Sequence, residues 1–412
     1  MFKSFFPRPR LLLLSALIYA AIAAGLWLLA GDAVMARFGV APVDPEQAPI
    51  GLAYFVTPQF LAFCIYYGMC CALFAAVWFR ISPHPWQWWS IAGSMLIIFS
   101  SYFSVQVNVA INNWRRPFFD KVQEALSGKG TVPAAELYRL LLIFAEIAFV
   151  WIAVYVATRF FVSHFIFRWR TAMNDHYMAR WKDVRHIEGA AQRVQEDTMR
   201  FASITEDLGV SMIESVMTLF AFLPVLFALS GHVTELPIVG QVPAALVVAS
   251  IVWSLFGTVL LAGAGIKLPG LNFRIQRVEA AYRKELVYGE DDVRRAGPIS
   301  VRELFGNVTS NYFRLYFHYA YFNVFRATYI QADNIFAYLI LLPTMAAGKI
   351  TFGILQQILT AFQQVSNSFQ YLVNSWSTIV ELMSIYKRLA AFEAAFEGKA
   401  LTGIETEPET TP

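Results

Sequence analysis

Apolar residues in this chain gather in long unbroken runs rather than at alternating positions, and the runs have the length of membrane spans. Crossing roughly 30 Å of hydrocarbon takes about 20 mainly apolar residues. About eight runs meet that length: near Leu11 to Ala30, Leu52 to Phe79, Trp89 to Ile111, Leu140 to Phe165, Leu208 to Ser230, Ala244 to Ile266, Tyr319 to Ala347 and Ile350 to Trp376. The pattern predicts an all-α integral membrane protein with about eight transmembrane helices, because a helix satisfies its own backbone in lipid. The first run follows Lys3, Arg8 and Arg10 and holds small residues near Ala21 to Gly25, as a cleavable signal peptide would. Its apolar stretch is longer than a signal core, and the expectation is an uncleaved anchor.

Orientation follows from where Lys and Arg collect near the span ends. With the N-terminus in the cytoplasm, the basic connections Arg168 to Arg200 and Lys267 to Arg314 fall inside, and the connection around His232 and Glu235 faces outward without Lys or Arg. The stretch Arg115 to Arg139 is discordant, being outward-facing yet basic. Both termini are expected in the cytoplasm, with an acidic tail over 396–412 that ends Glu405, Glu407, Glu409 and reads as disordered.

Composition agrees with a lipid-solvated chain: 57% of its 412 residues are hydrophobic and 15% charged. A net charge of +3, with the basic residues scattered between apolar runs, argues against nucleic acid as a partner. Cys64, Cys70 and Cys71 share one apolar run without further ligands at metal spacing, so they read as buried small hydrophobes rather than a disulfide framework or zinc site. No cofactor or metal is expected.

An ATP-driven pump needs a Gly-rich loop closed by Gly-Lys-Ser/Thr to cradle phosphates. Gly128-Lys129 is followed by glycine, and Gly348-Lys349 by Ile350, so neither pair qualifies. No stretch between or beyond the spans exceeds about 50 residues, short of an ATPase domain. Transport would then draw on an ion gradient, the membrane potential or a separate subunit. No Ser/His/Asp, metal or paired-acid constellation suggests an enzyme.

Ionisable groups at membrane depth are costly and mark functional positions. Glu146, Glu214, Arg326 and Asp333 lie within spans, and Arg326 and Asp333 share a helix face seven residues apart. In the eighth run Gln356, Gln363, Asn367, Gln370 and Asn374 recur as one helical stripe, continued by Glu381. Such amides either glue helices together or line a wet cavity able to accept varied peptide backbones. Gln106, Asn108, Asn112 and Asn113 add a polar end to the third run.

In the first cytoplasmic connection, 166–207, helical spacing pairs Arg193 with Asp197 and Glu196 with Arg200. Asp207 and Glu214 carry a carboxylate face into the fifth run. In the second, 267–317, Glu279, Tyr282 and Glu290 share a face, and Glu279 precedes Arg283 in the favourable i,i+4 order. Carboxylates that share a partly dehydrated cavity raise one another's pKa until protonation near neutral pH becomes feasible, as a proton relay requires. The same negative cavity attracts cations.

The strings HIEGAAQRVQEDTMRFAS and NFRIQRVEAAYRKELVYGEDD, with RWRTAMN, the N-terminal MFKSFFP and NSWSTIVELMSIYKRL, closely resemble the SbmA/BacA peptide-antibiotic transporters of bacterial inner membranes. The two connections also resemble those of peroxisomal fatty-acyl ABC half-transporters, whose Asn-Pro-Asp-Gln-Arg string is echoed at 190–193 with Ala190 and Ala191 in two of its places. The resemblance implies a homodimer with an ABC-exporter-like membrane core of six helices per chain over 86–395, an accessory helix pair in 1–85, and no nucleotide-binding domain. It implies proton-driven uptake of peptides and peptide-like antibiotics across the inner membrane. It points to Glu206, Glu279 and Glu290, beside Tyr288, as a proton relay, with Glu188, Glu196 and Glu381 in matching strings; Tyr282, Tyr288, Glu381 and the amide stripe are the expected lining of a substrate cavity. Glu214 stands where the family is not expected to keep an acid. The competing reading is the membrane subunit of an ABC-type transporter for long-chain acyl or lipid-linked substrates, served by a separate ATPase.

Overall fold

The computed structural model describes residues 1–37, 39, 49–128, 131–185, 190–233, 236–237, 240, 242–292, 294 and 296–396. Among these the chain is helical, with one isolated bridge between Leu236 and Gly240. A short α1 (Phe2–Phe5) precedes α2 (Pro9–Arg37) and α3 (Pro58–Ile81). Pro58 opens α3 at a position where its missing N–H costs nothing, and the Thr57 hydroxyl accepts from the Phe60 amide at 3.3 Å. A π-turn at Trp88–Gly93 leads into α4 (Ser94–Leu126), followed by α5 (Ala134–Met178). Two short helices, α6 (Trp181–Val184) and α7 (Ala190–Gln192), and a second π-turn (Arg193–Asp197) lead into α8 (Thr198–Leu229). Then come α9 (Ala245–Gly265), α10 (Leu268–Asp291), α11 (Pro298–Ala346), α12 (Phe352–Asn374) and α13 (Trp376–Phe396).

Six helical stretches among the described residues are long and apolar enough to cross a membrane: Pro9–Arg37, Pro58–Ile81, Trp88–Leu126, Ala134–Met178, Ala190–His232 and Ala245–Glu290. Their apolar side chains face outward; Leu29 is 89% exposed and Leu13 65%. That is how a lipid-solvated helix differs from one in water. The seventh and eighth expected spans form helices, α11 and α12, but are not apolar enough to join the six. Arg326 and Asp333 interrupt α11, and the amides interrupt α12. Cys64, Cys70 and Cys71 are free and half-buried, a correction to their expected burial, because α3 exposes most of its surface.

The chain forms two compact units: Met1–Ala228 with Thr351–Ala361 and Glu381–Pro412, and Leu229–Ile350 with Phe362–Val380. The largest core of the first unit gathers α1, the C-terminal part of α5, the start of α8 and α13. Phe5, Trp169, Met173, Tyr177, Phe201, Leu389 and Phe392 are buried together there, with Phe5 stacked on Trp169 at 5.8 Å. In the second unit α10 folds back on α11 as a hairpin, burying Leu268, Leu271, Ile275 and Leu315.

Candidate functional site

In the first unit two acid–base rungs join the start of α8 to α13. Asp197, 2% exposed, accepts from Arg388 Nη2 at 2.7 Å and Nε at 3.0 Å, a bidentate pair. These bonds push the Arg388 guanidinium further above its ordinary pKa. The expected i,i+4 pair of Arg193 with Asp197 is therefore corrected. The π-turn widens the backbone between them and aims Asp197 at α13, while the Arg193 guanidinium lies over the Phe392 ring at 5.7 Å. The other expected pair holds and extends: Arg200 reaches Glu196 at 3.5 Å and Glu381 at 3.1 Å, so two candidate residues from distant strings converge on one cation. Gln192 Nε2 also donates to Glu196, at 3.3 Å.

One turn and a half further along α8, Glu206 is half-buried, and the charged groups acting on it are Asp207 and Arg159. It forms no ion pair among the described residues, unlike Glu196 and Glu381. Glu214, two turns on, is half-buried within the apolar part of the helix. Glu188 lies outside the described residues.

In the second unit the α10–α11 hairpin holds Glu279 half-buried, within hydrogen-bonding reach of the Tyr312 phenol. Among the described residues Glu279 forms no ion pair with Arg283, a correction to the expected helical pair, and the group it acts on is Tyr312. Burial and then the Glu279 charge push that phenol above its ordinary pKa. Tyr282 packs on Phe305 at 5.7 Å, and Lys284 Nζ sits 5.6 Å from the Tyr288 ring centre. The Glu285 carboxylate accepts from the Ala296 amide at 3.0 Å and closes the turn, where Gly289 leaves room for Ala296. Glu290 is exposed.

The amide stripe of α12 is not uniform, and one of its members takes the expected role of glue between helices. Gln370, 8% exposed, donates to Tyr329 Oη at 3.0 Å and Ser366 Oγ at 3.2 Å, which is helix-to-helix glue. Gln363, Asn367 and Asn374 are exposed, and Gln356 is half-buried. The glue has a centre that spacing alone did not expose, the Asp333 carboxylate of α11. Its Oδ1 accepts from Trp253 Nε1 of α9 at 2.7 Å and from Ser366 Oγ of α12 at 3.2 Å. Its Oδ2 receives Gln363 Nε2 at 3.5 Å, the limit of a hydrogen bond. Trp253 is held by stacking on Phe336 at 4.0 Å and on Tyr329 at 5.5 Å. Asp333 turns to these donors, not to Arg326, which is exposed. Among the described residues no three His, Cys, Asp or Glu side chains group as a metal site requires.

The chain is similar to three curated proteins that carry ATP-binding in their names. One is the inner membrane ABC transporter ATP-binding protein YddA of Escherichia coli, 25% identical over 71% of this chain and 55% of that protein. The second is an uncharacterized ABC transporter ATP-binding protein of Synechocystis, 24% identical over 76% of this chain and 47% of its own length. The third, from Haemophilus influenzae, is 22% identical over 64% of this chain and 46% of its own. The chain spans about half the length of the curated relatives it matches. Among the described residues, six helical stretches of membrane length and composition agree with a multi-pass membrane protein, and these relatives carry ABC transporter in their names. With residues 83–397 matching in a stretch that holds both connections, 166–207 and 267–317, and the amide stripe, the chain belongs to the SbmA/BacA-like family.

Proposed function

We propose that the protein is a proton-driven importer of peptides and peptide-like antibiotics in a bacterial inner membrane, working as a homodimer with both termini in the cytoplasm. The observation that carries the reading is Glu206. It is a half-buried carboxylate beside a second acid, at the threshold of the apolar part of α8, and among the described residues no ion pair ties it to a cation. A proton carrier needs such freedom, whereas Glu196 and Glu381 are tied to Arg200. Glu279 and Glu290 on α10, with Glu188 in the first connection, would complete the relay. The exposed amides Gln363, Asn367 and Asn374, with Gln356, Tyr282 and Tyr288, supply donors and acceptors for backbone-like groups. A proton entering down 100 mV releases about 2.3 kcal/mol, so a few suffice to concentrate a peptide. The test is uptake of a labelled proline-rich peptide into proteoliposomes with and without an imposed pH gradient; uptake indifferent to the gradient and to a protonophore would reject the reading.

A second reading is favoured by the relatives' names, which carry ATP-binding. In it the chain supplies the membrane frame and a separate ATPase supplies the energy. Transport that required ATP, with an ATPase co-purifying from the native membrane, would select it.

A further inference from the structure

We infer that Asp333 is a recognition site for a cationic group, an ammonium or guanidinium, with Gln363 and Asn367 as its polar rim. The two carboxylate oxygens differ in what they do. Oδ1 is committed: Trp253 and Ser366, on two other helices, both donate to it, and stacking on Phe336 fixes the tryptophan. Oδ2 keeps nearly all of its accepting capacity, since its one hydrogen-bond partner among the described residues is Gln363 Nε2 at 3.5 Å. That amide also gives its hydrogen to Asn367 Oδ1 at 3.0 Å. Both amides are exposed, so the open oxygen lies beside the exposed polar face of α12.

Among the described residues every group that reaches the carboxylate donates to it, so the protein uses it as an acceptor. No cation pairs with it among the described residues, and Arg326 is turned away. A half-buried negative charge is costly without a partner. Here the protein provides enough donors to hold the carboxylate in place but leaves its charge uncompensated. The chemistry that completes the site is one positive group with N–H donors, placed by Oδ2 and flanked by the amide oxygens of Gln363 and Asn367. Lysine or arginine side chains and free amines carry such groups. The inference gains its physiological sense from the importer reading, but its binding test stands apart from transport.

The probe is a labelled pentapeptide, acetylated and amidated at its ends so that a single lysine is its only charge, compared with the same peptide bearing norleucine. Equilibrium binding to the purified full-length protein in nanodiscs should favour the lysine peptide by about tenfold, the value of one charge-assisted contact. Asp333→Asn should bring that ratio close to one. Gln363→Arg, which leaves the Trp253 and Ser366 bonds intact and puts a cation against Oδ2, should do the same. Asp333→Glu should keep a preference above about threefold. Equal binding of both peptides by the parent protein, or a ratio that Gln363→Arg leaves intact, would overturn the inference. Retained lysine preference without uptake into proteoliposomes would instead reject the importer reading alone.

Discussion

Arg388 holds Asp197 through two parallel hydrogen bonds, at 2.7 and 3.0 Å, across 191 residues of chain. Asp197 is almost fully buried while Arg388 keeps partial access to water. Truncating the acid therefore strands a cation against a closed core. Asp197→Ala is expected to lower stability by about 2 to 4 kcal/mol, the range for breaking a buried pair discounted for the exposed partner. Thermal unfolding in detergent, followed by tryptophan fluorescence, measures it.

The neighbouring rung behaves differently. Arg200, Glu196 and Glu381 are each about half exposed. Glu196→Gln and Glu381→Gln should each shift stability by less than about 1 kcal/mol, because solvent screens such pairs. A loss as large as that of Asp197→Ala would mean that the rung is shielded from water in the assembled protein.

Glu206→Gln preserves size and hydrogen bonding and removes only the titration. Uptake driven by a pH gradient is expected to fall on the order of tenfold or more, with the unfolding midpoint preserved, as for a carboxylate whose value lies in its proton. Peptide binding in the absence of a gradient should change by less than about threefold. Unchanged gradient-driven uptake would remove Glu206 from the relay.

Gly257 of α9 lies under the Tyr329 ring, where a Cβ would overlap the phenol. Gly257→Ala should cost about 1 to 3 kcal/mol by overpacking. Tyr329→Ala on its own leaves a void. The double variant should be less unstable than the sum of the singles, a coupling that a double-mutant cycle on unfolding midpoints reveals.

Much of this was legible in the chain. The apolar runs gave the helices, since lipid leaves backbone no alternative, and the strings around 186–203 and 272–292 gave the family. The Glu196–Arg200 pair followed from helical spacing. The Asp197–Arg388 pair did not, because a π-turn moved Asp197 off the register that i,i+4 counting assumes and its partner lies far along the chain. Asp333 was visible as a charge within an apolar run, but its donors come from α9 and α12, and no local pattern links Trp253 to Ser366. The stripe on α12 was seen as one feature and is two, because Gln370 is buried against Tyr329 while Gln363 and Asn367 are exposed and bond each other.

Helix α5 runs 45 residues without a single glycine or proline. At 1.5 Å per residue it is about 68 Å long, more than twice the hydrocarbon thickness. It is an unjointed rod, and near its far end Trp169 and Tyr177 are clamped in the aromatic core, with the Tyr177 hydroxyl donating to Glu393 at 3.1 Å. A rod of that length is a lever arm. A tilt of a few degrees, too slight to disturb lipid contacts at one end, becomes a displacement of several ångströms at the other.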